Sequence, residues 1–455
     1  MTRETPTTDS GPKQLLRTWR ELFAIAWPIA LSGLVTLTIS SNDAVLLGSA
    51  SASVLASVVA SSSLQSILAM SVAGLVSSAQ ILIARAAGAG RRDHAARASS
   101  TAIWAGVWIG TAAAVVVAAA GPPVLSLLGG AAIDPVFASR YLQITLLALP
   151  FIGLTSALRA RVSGLGATRG LFAASAASAA VDILASLTLN ALIGPFGVAL
   201  GTLIGTVSGA AVFLWLVRRS TSAEIPPPQL RMLLVVSPRA LRSLLALGWP
   251  EAVFFAASAG AGLVVTWLLS PFSPTLLSAA RFLEIASVMV VFTILSSVGA
   301  AATTLLGRAA GAADADQWKH VWRSTTAFTL GIGALAVLLG PFALPPLLRQ
   351  ITQPQIAAAA QTVVWLAFAQ ALIMAVQVAM TAGLRSLKDT RGPMAAAIIA
   401  EYAVFLPLGW LLTRHYELGL TGVFITHLAY WASALLVCAV RLLPRWRRLS
   451  TGASA

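Results

Sequence analysis

Cysteine is nearly absent from this chain. Cys438 stands alone among 455 residues and falls in the last apolar stretch, so no intrachain disulfide can form. Charge is scarce as well: 10% of residues are charged against 58% hydrophobic, and the mean hydropathy is +0.85. That balance excludes a soluble globular protein of ordinary make-up. The only lysines are Lys13, Lys319 and Lys388, none in a G-x-x-x-x-G-K-[ST] loop, so ATP hydrolysis through a P-loop is excluded. His94, His320, His415 and His427 have no metal-ligand spacing with one another or with Cys438, and neither a metal site nor a cofactor is expected. There is no G-x-S-x-G, no H-E-x-x-H and no paired histidine inside an apolar stretch, which argues against a membrane-embedded enzyme. No small-residue cleavage site follows a short apolar region near the start, so the first apolar run reads as a retained span.

What the chain has in quantity is apolar sequence, cut into segments long enough to cross a bilayer. These fall at 22–47, 54–83, 99–120, 137–158, 170–194, 196–217, 241–270, 275–306, 324–347, 357–384, 393–413 and 418–442, with a short gap at Gly194–Phe196 where a re-entrant turn would fit. The expectation is an all-α integral membrane protein of twelve transmembrane helices. The net charge of +15 sits in short clusters between these segments, where it acts as a topology signal, and nucleic-acid binding is not expected. With the N-terminus inside, cytoplasmic segments collect Arg85, Arg91, Arg92, Arg97, Arg159, Arg161, Arg169 and many more, whereas outer segments hold only Arg140, Arg349 and Arg414. Both termini are then cytoplasmic.

The chain also repeats itself. Arg20–Pro28 returns as Arg242–Pro250, the RAAGAG turn at Arg85–Gly90 as RAAGAA at Arg308–Ala313, and ATRG at Ala167–Gly170 as DTRG at Asp389–Gly392, all at an offset of 222 or 223 residues. Six spans per repeat is an even number, so the halves are parallel, related by an axis along the membrane normal, with a substrate cavity between them near the midplane. The division expected is a tail at 1–20, an N-lobe at 21–217, a linker at 218–240 carrying the stiff Pro226–Pro228 run, a C-lobe at 241–442 and a tail at 443–455.

The first span carries one acid, Asp43, in apolar and hydroxylated sequence, and Ser32, Thr36, Ser40 and Asp43 share one helical face. A lone carboxylate there either exchanges a proton or is permanently satisfied by neighbouring hydroxyls. Ser178, Asp182, Ser186 and Asn190 form a similar stripe in span five. Asp43 is twinned by Val265 and Asp182 by Val404, so both acids break the repeat and need their own reason. The reading is that the two stripes face each other across a cavity in the N-lobe, with Asp43 and Asp182 coupled in proton binding, against the alternative that Asp182 only bonds backbone or hydroxyls. Pro28 and Pro250 mark hinges. Gly197, Gly201, Gly205 and Gly209 in span six read as a close-packing face. In the C-lobe, Glu251 either caps the backbone opened by Pro250 or faces the cavity. Arg281 and Glu284 are an ion pair or a substrate contact, and Glu401 is the sharper substrate candidate. Trp249, Phe254, Phe255, Trp267 and Phe282 offer aromatic faces to a cation.

The WP pair near the start of spans one and seven, the late acid of span one and the duplicated turns together resemble the multidrug and toxic compound extrusion (MATE) family, and Asp43 resembles the acid of its DinF-type branch. The resemblance covers roughly Trp19 to Arg441. It implies a two-lobed, twelve-helix exporter of amphiphilic or cationic organic compounds, working by exchange for protons or sodium in a bacterial inner membrane, expected as a monomer in the lipid bilayer. Asp43 matches the family's span-one acid and Asp182 resembles a second one, although Ser178 stands where an Asn is usual. The acid many relatives carry in span ten is replaced by Gln361, Gln370 and Gln377, which favours proton coupling in the N-lobe over a sodium site in the C-lobe. One charge crossing 100 mV is worth about 2.3 kcal/mol, roughly a fortyfold concentration ratio. A flippase for a lipid-linked saccharide is the rival, and it would want an arginine-lined cleft, whereas here only Arg281 is expected away from the loops.

Overall fold

The computed structural model describes residues 12–47, 51–129, 134–219, 226, 236–269 and 272–450. Residues 1–11, most of the 218–240 linker, residues 451–455 and the side chains of Ser40 and Asp43 lie outside the described set. The chain is all-α, with twelve helices long and apolar enough to span a membrane. They are α1 (Pro12–Leu47), α2 (Ser53–Gly88), α3 (Arg92–Gly129), α4 (Pro135–Gly164), α5 (Arg169–Ile193), α6 (Pro195–Arg219), α7 (Pro238–Leu269), α8 (Thr275–Gly311), α9 (Ala315–Ile351), α10 (Val364–Ser386), α11 (Arg391–His415) and α12 (Gly419–Ser450).

Local chemistry sets where these helices begin and end. Asp134 accepts hydrogen bonds from the amides of Val136 and Phe137 at 3.0 and 3.1 Å, one residue ahead of Pro135 in the first turn. Asp314 caps α9 through the amide of Gln317 at 2.8 Å. The gap between α5 and α6 is a sharp turn at Gly194, whose φ of +66° favours glycine, rather than a re-entrant segment. The apolar run expected at 357–384 divides into a short helix, Pro354–Gln361, and α10. Within the spans, hydroxyls fold back on their own helix: Ser61 donates to the Ser57 carbonyl at 2.8 Å and Thr426 to that of Gly422 at 2.7 Å. In a bilayer, where water is absent, this satisfies the side chain without a partner helix.

The duplication reaches the backbone. Gly90 and Gly166 have left-handed φ of +69° and +67°, and their counterparts Ala313 and Lys388 keep φ of +58° and +62° although neither is glycine. The duplicated turns also touch reciprocally. A Cβ on Gly88 would meet the carbonyl of Arg308, and one on Gly311 that of Arg85. Arg85 Nη1 donates to the Ser386 carbonyl at 2.7 Å while Arg308 Nη2 donates to that of Leu165 at 2.6 Å. Each twin arginine thus crosses to the corresponding turn of the opposite half, as a two-fold axis along the membrane normal requires.

Further bonds between the halves gather on this side: Trp19 Nε1 to the Ser324 carbonyl at 3.0 Å, Gln80 Nε2 to Thr304 at 3.0 Å, and Thr304 to the Ser163 carbonyl at 2.9 Å. By the arginine distribution this is the cytoplasmic end. The apolar core is continuous there, running from Leu22 and Ile83 through Leu158 to Ala302 and Trp318, so the structure is sealed toward the cytoplasm. Burial and the guanidinium of Arg85 hold the Lys388 ammonium, in the loop beyond α10, below the usual lysine range.

Candidate functional site

Three places hold buried polar groups near the midplane. The first is the α5–α6 hairpin. Asp182, 3% exposed, has its carboxylate bonded by Ser186 at 3.1 Å and by the Thr202 hydroxyl of α6. Its face of α5 packs on the glycine face of α6: a Cβ on Gly205 would lie 2.4 Å from Asp182 Cβ, and Gly201 and Gly209 abut Ser186 and Ser178 in the same way. The glycine face therefore does pack closely, and the stripe it packs against is the polar one. This corrects the expectation that the stripes of α1 and α5 confront each other along their length. Among the described residues they meet where Ser32 bonds Ser175, a position on the Asp182 face of α5 nearer the cytoplasm. Thr36 folds back on the Ser32 carbonyl at 3.0 Å, and Asn190 is half-buried near the outer end of α5. Ser40 and Asp43 fall among the side chains outside the described set.

The second place is a cavity of about 250 Å³ between the halves, walled by Gln80, Arg159, Glu251, Phe254, Phe255, Gln377 and Arg385 among others. Glu251, 1% exposed, takes a bidentate ion pair from Arg385, Nε at 2.7 Å and Nη2 at 2.6 Å, and Arg385 also lies 5.2 Å from the Phe254 ring centre. Of its two expected roles Glu251 has the cavity one, with its charge already matched. Arg159 reaches the same cavity and donates to Ser32 at 2.9 Å, and the neighbouring Arg161 is buried against Ser99 at 2.9 Å. The arginines are thus not confined to loops. The apolar run at 137–158 stopped at Arg159 because a charge ends any hydropathy window, although α4 continues to Gly164. A usable signal existed: Arg159 and Arg385 have Thr381 and Ser163 at their twin positions, so both break the repeat as the acids do.

The third place is a cavity of about 300 Å³ inside the C-terminal half, lined by Phe254, Glu284, Phe292, Glu401, His427, Tyr430 and Trp431 among others. The internal pair expected of Arg281 and Glu284 is present, at 3.0 Å. Glu284 and Glu401 thus share a cavity that Glu251 does not line, with Phe254, Phe292 and Gln377 common to both. Of the other aromatic candidates, Trp249 and Trp267 are 44% and 49% exposed. Pro28 and Pro250 lie inside continuous helices.

A model of the MatE family matches residues 28–188 and again 250–411, one copy in each half, the starts 222 residues apart. The chain belongs to the MatE family. Its members are secondary transporters and not enzymes. Among similar proteins, the MatE chain described here is 25% identical over 451 residues to a probable multidrug resistance protein NorM of Burkholderia pseudomallei, covering 96% of this chain and 93% of the relative. It superposes with a TM-score of 0.84 at 16% identity on an outward-facing multidrug resistance MATE family transporter of the MOP superfamily, over 96% of this chain and 98% of the other. It also superposes with a TM-score of 0.82 at 16% identity on a MOP superfamily transporter from Pyrococcus furiosus, described as having a binding pocket of reversed polarity, over 98% and 100%. The likeness to both solved structures is one of fold.

Proposed function

We propose that this MatE protein is a multidrug efflux transporter of a bacterial plasma membrane, exporting amphiphilic or cationic organic compounds in exchange for protons by alternating access. The relative named NorM supports the export of drugs, and the seal at the cytoplasmic end supports a carrier caught with that side closed. The observation that carries proton coupling is Asp182: a carboxyl buried at the midplane, bonded to two hydroxyls and to no cation among the described residues. Such a group can take up and give back a proton without breaking an ion pair. Asp43 is its proposed partner. α1 and α5 run parallel and touch at Ser32 and Ser175, so Asp43 stands eleven residues beyond the contact and Asp182 seven. At 1.5 Å per residue the two differ in depth by roughly 6 Å. Ser32, Thr36, Ser40, Ser178, Ser186 and Asn190 supply hydroxyl and amide groups along this route, and Pro28 and Pro250 let α1 and α7 bend between states.

Two arrangements keep a second reading alive. Arg159 and Arg385 line the central cavity, which suits an anionic substrate such as a lipid-linked saccharide. Sodium would serve in place of the proton if the N-terminal acids were permanently ionised. The deciding experiment is ethidium export from proteoliposomes driven first by a pH gradient and then by a sodium gradient, in wild type and Asp43→Asn. Proton-driven export lost in the variant is the expected result. Unchanged proton-driven export would remove Asp43 from the mechanism, and export driven by sodium alone would replace the coupling ion.

A further inference from the structure

The C-terminal half contains one carboxyl that no neighbour satisfies. Glu401 is 2% exposed, and neither of its oxygens has a hydrogen-bond partner among the described residues. An ionised carboxylate so placed is too costly to persist alone, so Glu401 must hold either a proton or a cation. The surrounding backbone is built to present it. α11 widens into a π-helical segment at Ile399–Phe405 around Glu401, and α8 does the same at Glu284–Val290, beginning at the other acid of the cavity. Such segments cost hydrogen-bond quality and gather at functional sites.

The remaining charged and titratable groups facing the cavity are accounted for. Glu284 takes the guanidinium of Arg281 at 3.0 Å. His427 sits with Nδ1 3.0 Å from the Val423 carbonyl and its ring edge-on to Phe405 at 4.9 Å. Tyr430 meets Trp431 edge to face at 5.1 Å, and beyond Phe254 the Glu251–Arg385 pair is closed on itself. One negative charge is left over, that of Glu401. The walls are aromatic: Phe292 and Trp431 lie 5.6 Å apart, and Phe405 and Tyr430 5.9 Å. Among the described residues no group of three or more acid, histidine or cysteine side chains is arranged to hold a metal ion. A cavity of about 300 Å³ with aromatic walls and one unmatched carboxylate suits a compact organic cation better than a hydrated metal.

We propose that this cavity is a binding site for an organic monocation of the alkylammonium class, with Glu401 as its counter-ion, and that a proton occupies Glu401 when the cation leaves. The inference rests on the transport reading above and gives it a substrate subsite distinct from the N-terminal acids. Binding and proton release are then one event, RCOOH + R₄N⁺ giving RCOO⁻·R₄N⁺ + H⁺, with charge and atoms conserved.

The test is isothermal titration of tetraethylammonium into the purified, detergent-solubilised full chain, repeated in buffers of different ionisation enthalpy so that released protons are counted. Wild type is expected to bind with proton release, and Glu401→Gln to lose roughly thirtyfold or more in affinity together with that release. Phe292→Leu, which leaves the carboxyl alone, is expected to lose roughly threefold to tenfold while still releasing protons. It keeps the proposal testable if Glu401→Gln folds poorly. Absent binding by wild type, binding without proton release between about pH 5 and pH 9, or affinity in Glu401→Gln within about threefold of wild type would each overturn the proposal. No gradient is applied here, so failure at Glu401 leaves proton-driven export by Asp43 and Asp182 standing, and failure of the Asp43→Asn export assay leaves this binding result untouched.

Discussion

Removing the guanidinium of Arg385 should damage this protein more than removing the carboxylate it pairs with. Glu251 is 1% exposed, and its two oxygens are held by Arg385 at 2.7 and 2.6 Å. In Arg385→Gln the acid remains buried with its charge unanswered, at a cost of about 3 to 5 kcal/mol. In Glu251→Gln the guanidinium, whose side chain is 23% exposed, retains the Phe254 face at 5.2 Å and a path to water. The loss there should be about 1 to 2 kcal/mol. The double variant Glu251→Gln/Arg385→Gln removes both charges and should recover most of the Arg385→Gln deficit, because a buried ion pair against a neutral pair is close to balanced. Reversible unfolding in mixed micelles, run on all four proteins, gives the cycle. The reasoning fails if Arg385→Gln costs less than about 1 kcal/mol, or if the double variant is no better than Arg385→Gln alone.

Other consequences can be measured directly. Gly205→Ala places a methyl 2.4 Å from Asp182 Cβ and should lower stability by about 1 to 3 kcal/mol and reduce export. Gly170→Ala, whose Cβ would sit 3.7 Å from Leu216, is the control expected to be silent in both unfolding and transport assays. Gly88→Leu drives a side chain into the Arg308 carbonyl and should hold the cytoplasmic end apart. Maleimide labelling from that side of a cysteine placed at Gln80 would then rise above the parent level, and unchanged labelling would refute the seal. Ala313→Gly and Lys388→Gly relieve left-handed backbone at φ of +58° and +62°. Each should raise stability by up to about 1 kcal/mol, and in Lys388→Gly the crowding with Arg85 disappears as well.

Sequence alone was enough for the architecture because the bilayer simplifies the problem: twelve apolar runs, a one-sided arginine distribution and a repeat at 222 residues each constrain the same fold. It also located the acids, since each breaks the repeat. What it did not convey is which faces meet. The stripe of Asp182 and the stripe of Gly205 were both legible, and their mutual packing was not, because periodicity identifies a face and says nothing of the face opposite. The same limit hid the Glu251–Arg385 pair, 134 residues apart in sequence. Hydropathy misplaced Arg159 for a different reason, since a charge inside a helix end scores as a loop. The solitude of Glu401 lay beyond any sequence reading: an unanswered carboxylate is a property of the neighbours it lacks.

The placement of charge gives the exchange its sign. A monocation on Glu401 and protons on Asp43 and Asp182 would occupy opposite halves of the molecule, separated by a distance on the order of 15 Å, half the thickness of the hydrocarbon core. At an effective dielectric constant near 20, neutralising one carboxylate at that range removes about 1 kcal/mol of attraction for the cation, roughly a fivefold loss of affinity. Two protons would weaken it by roughly twenty- to thirtyfold, comparable to what one charge gains from a 100 mV potential. Arg159 stands between the two sites, bonded to Ser32 at 2.9 Å and lining the central cavity that shares Phe254, Phe292 and Gln377 with the Glu401 cavity. With the N-terminal acids ionised its field is offset. With them protonated it is not, and its positive charge adds to the penalty on the cation. Proton loading from outside would then expel the cation while the cytoplasmic end is sealed, and proton loss to the cytoplasm would restore affinity there, which is the negative coupling an exchanger needs.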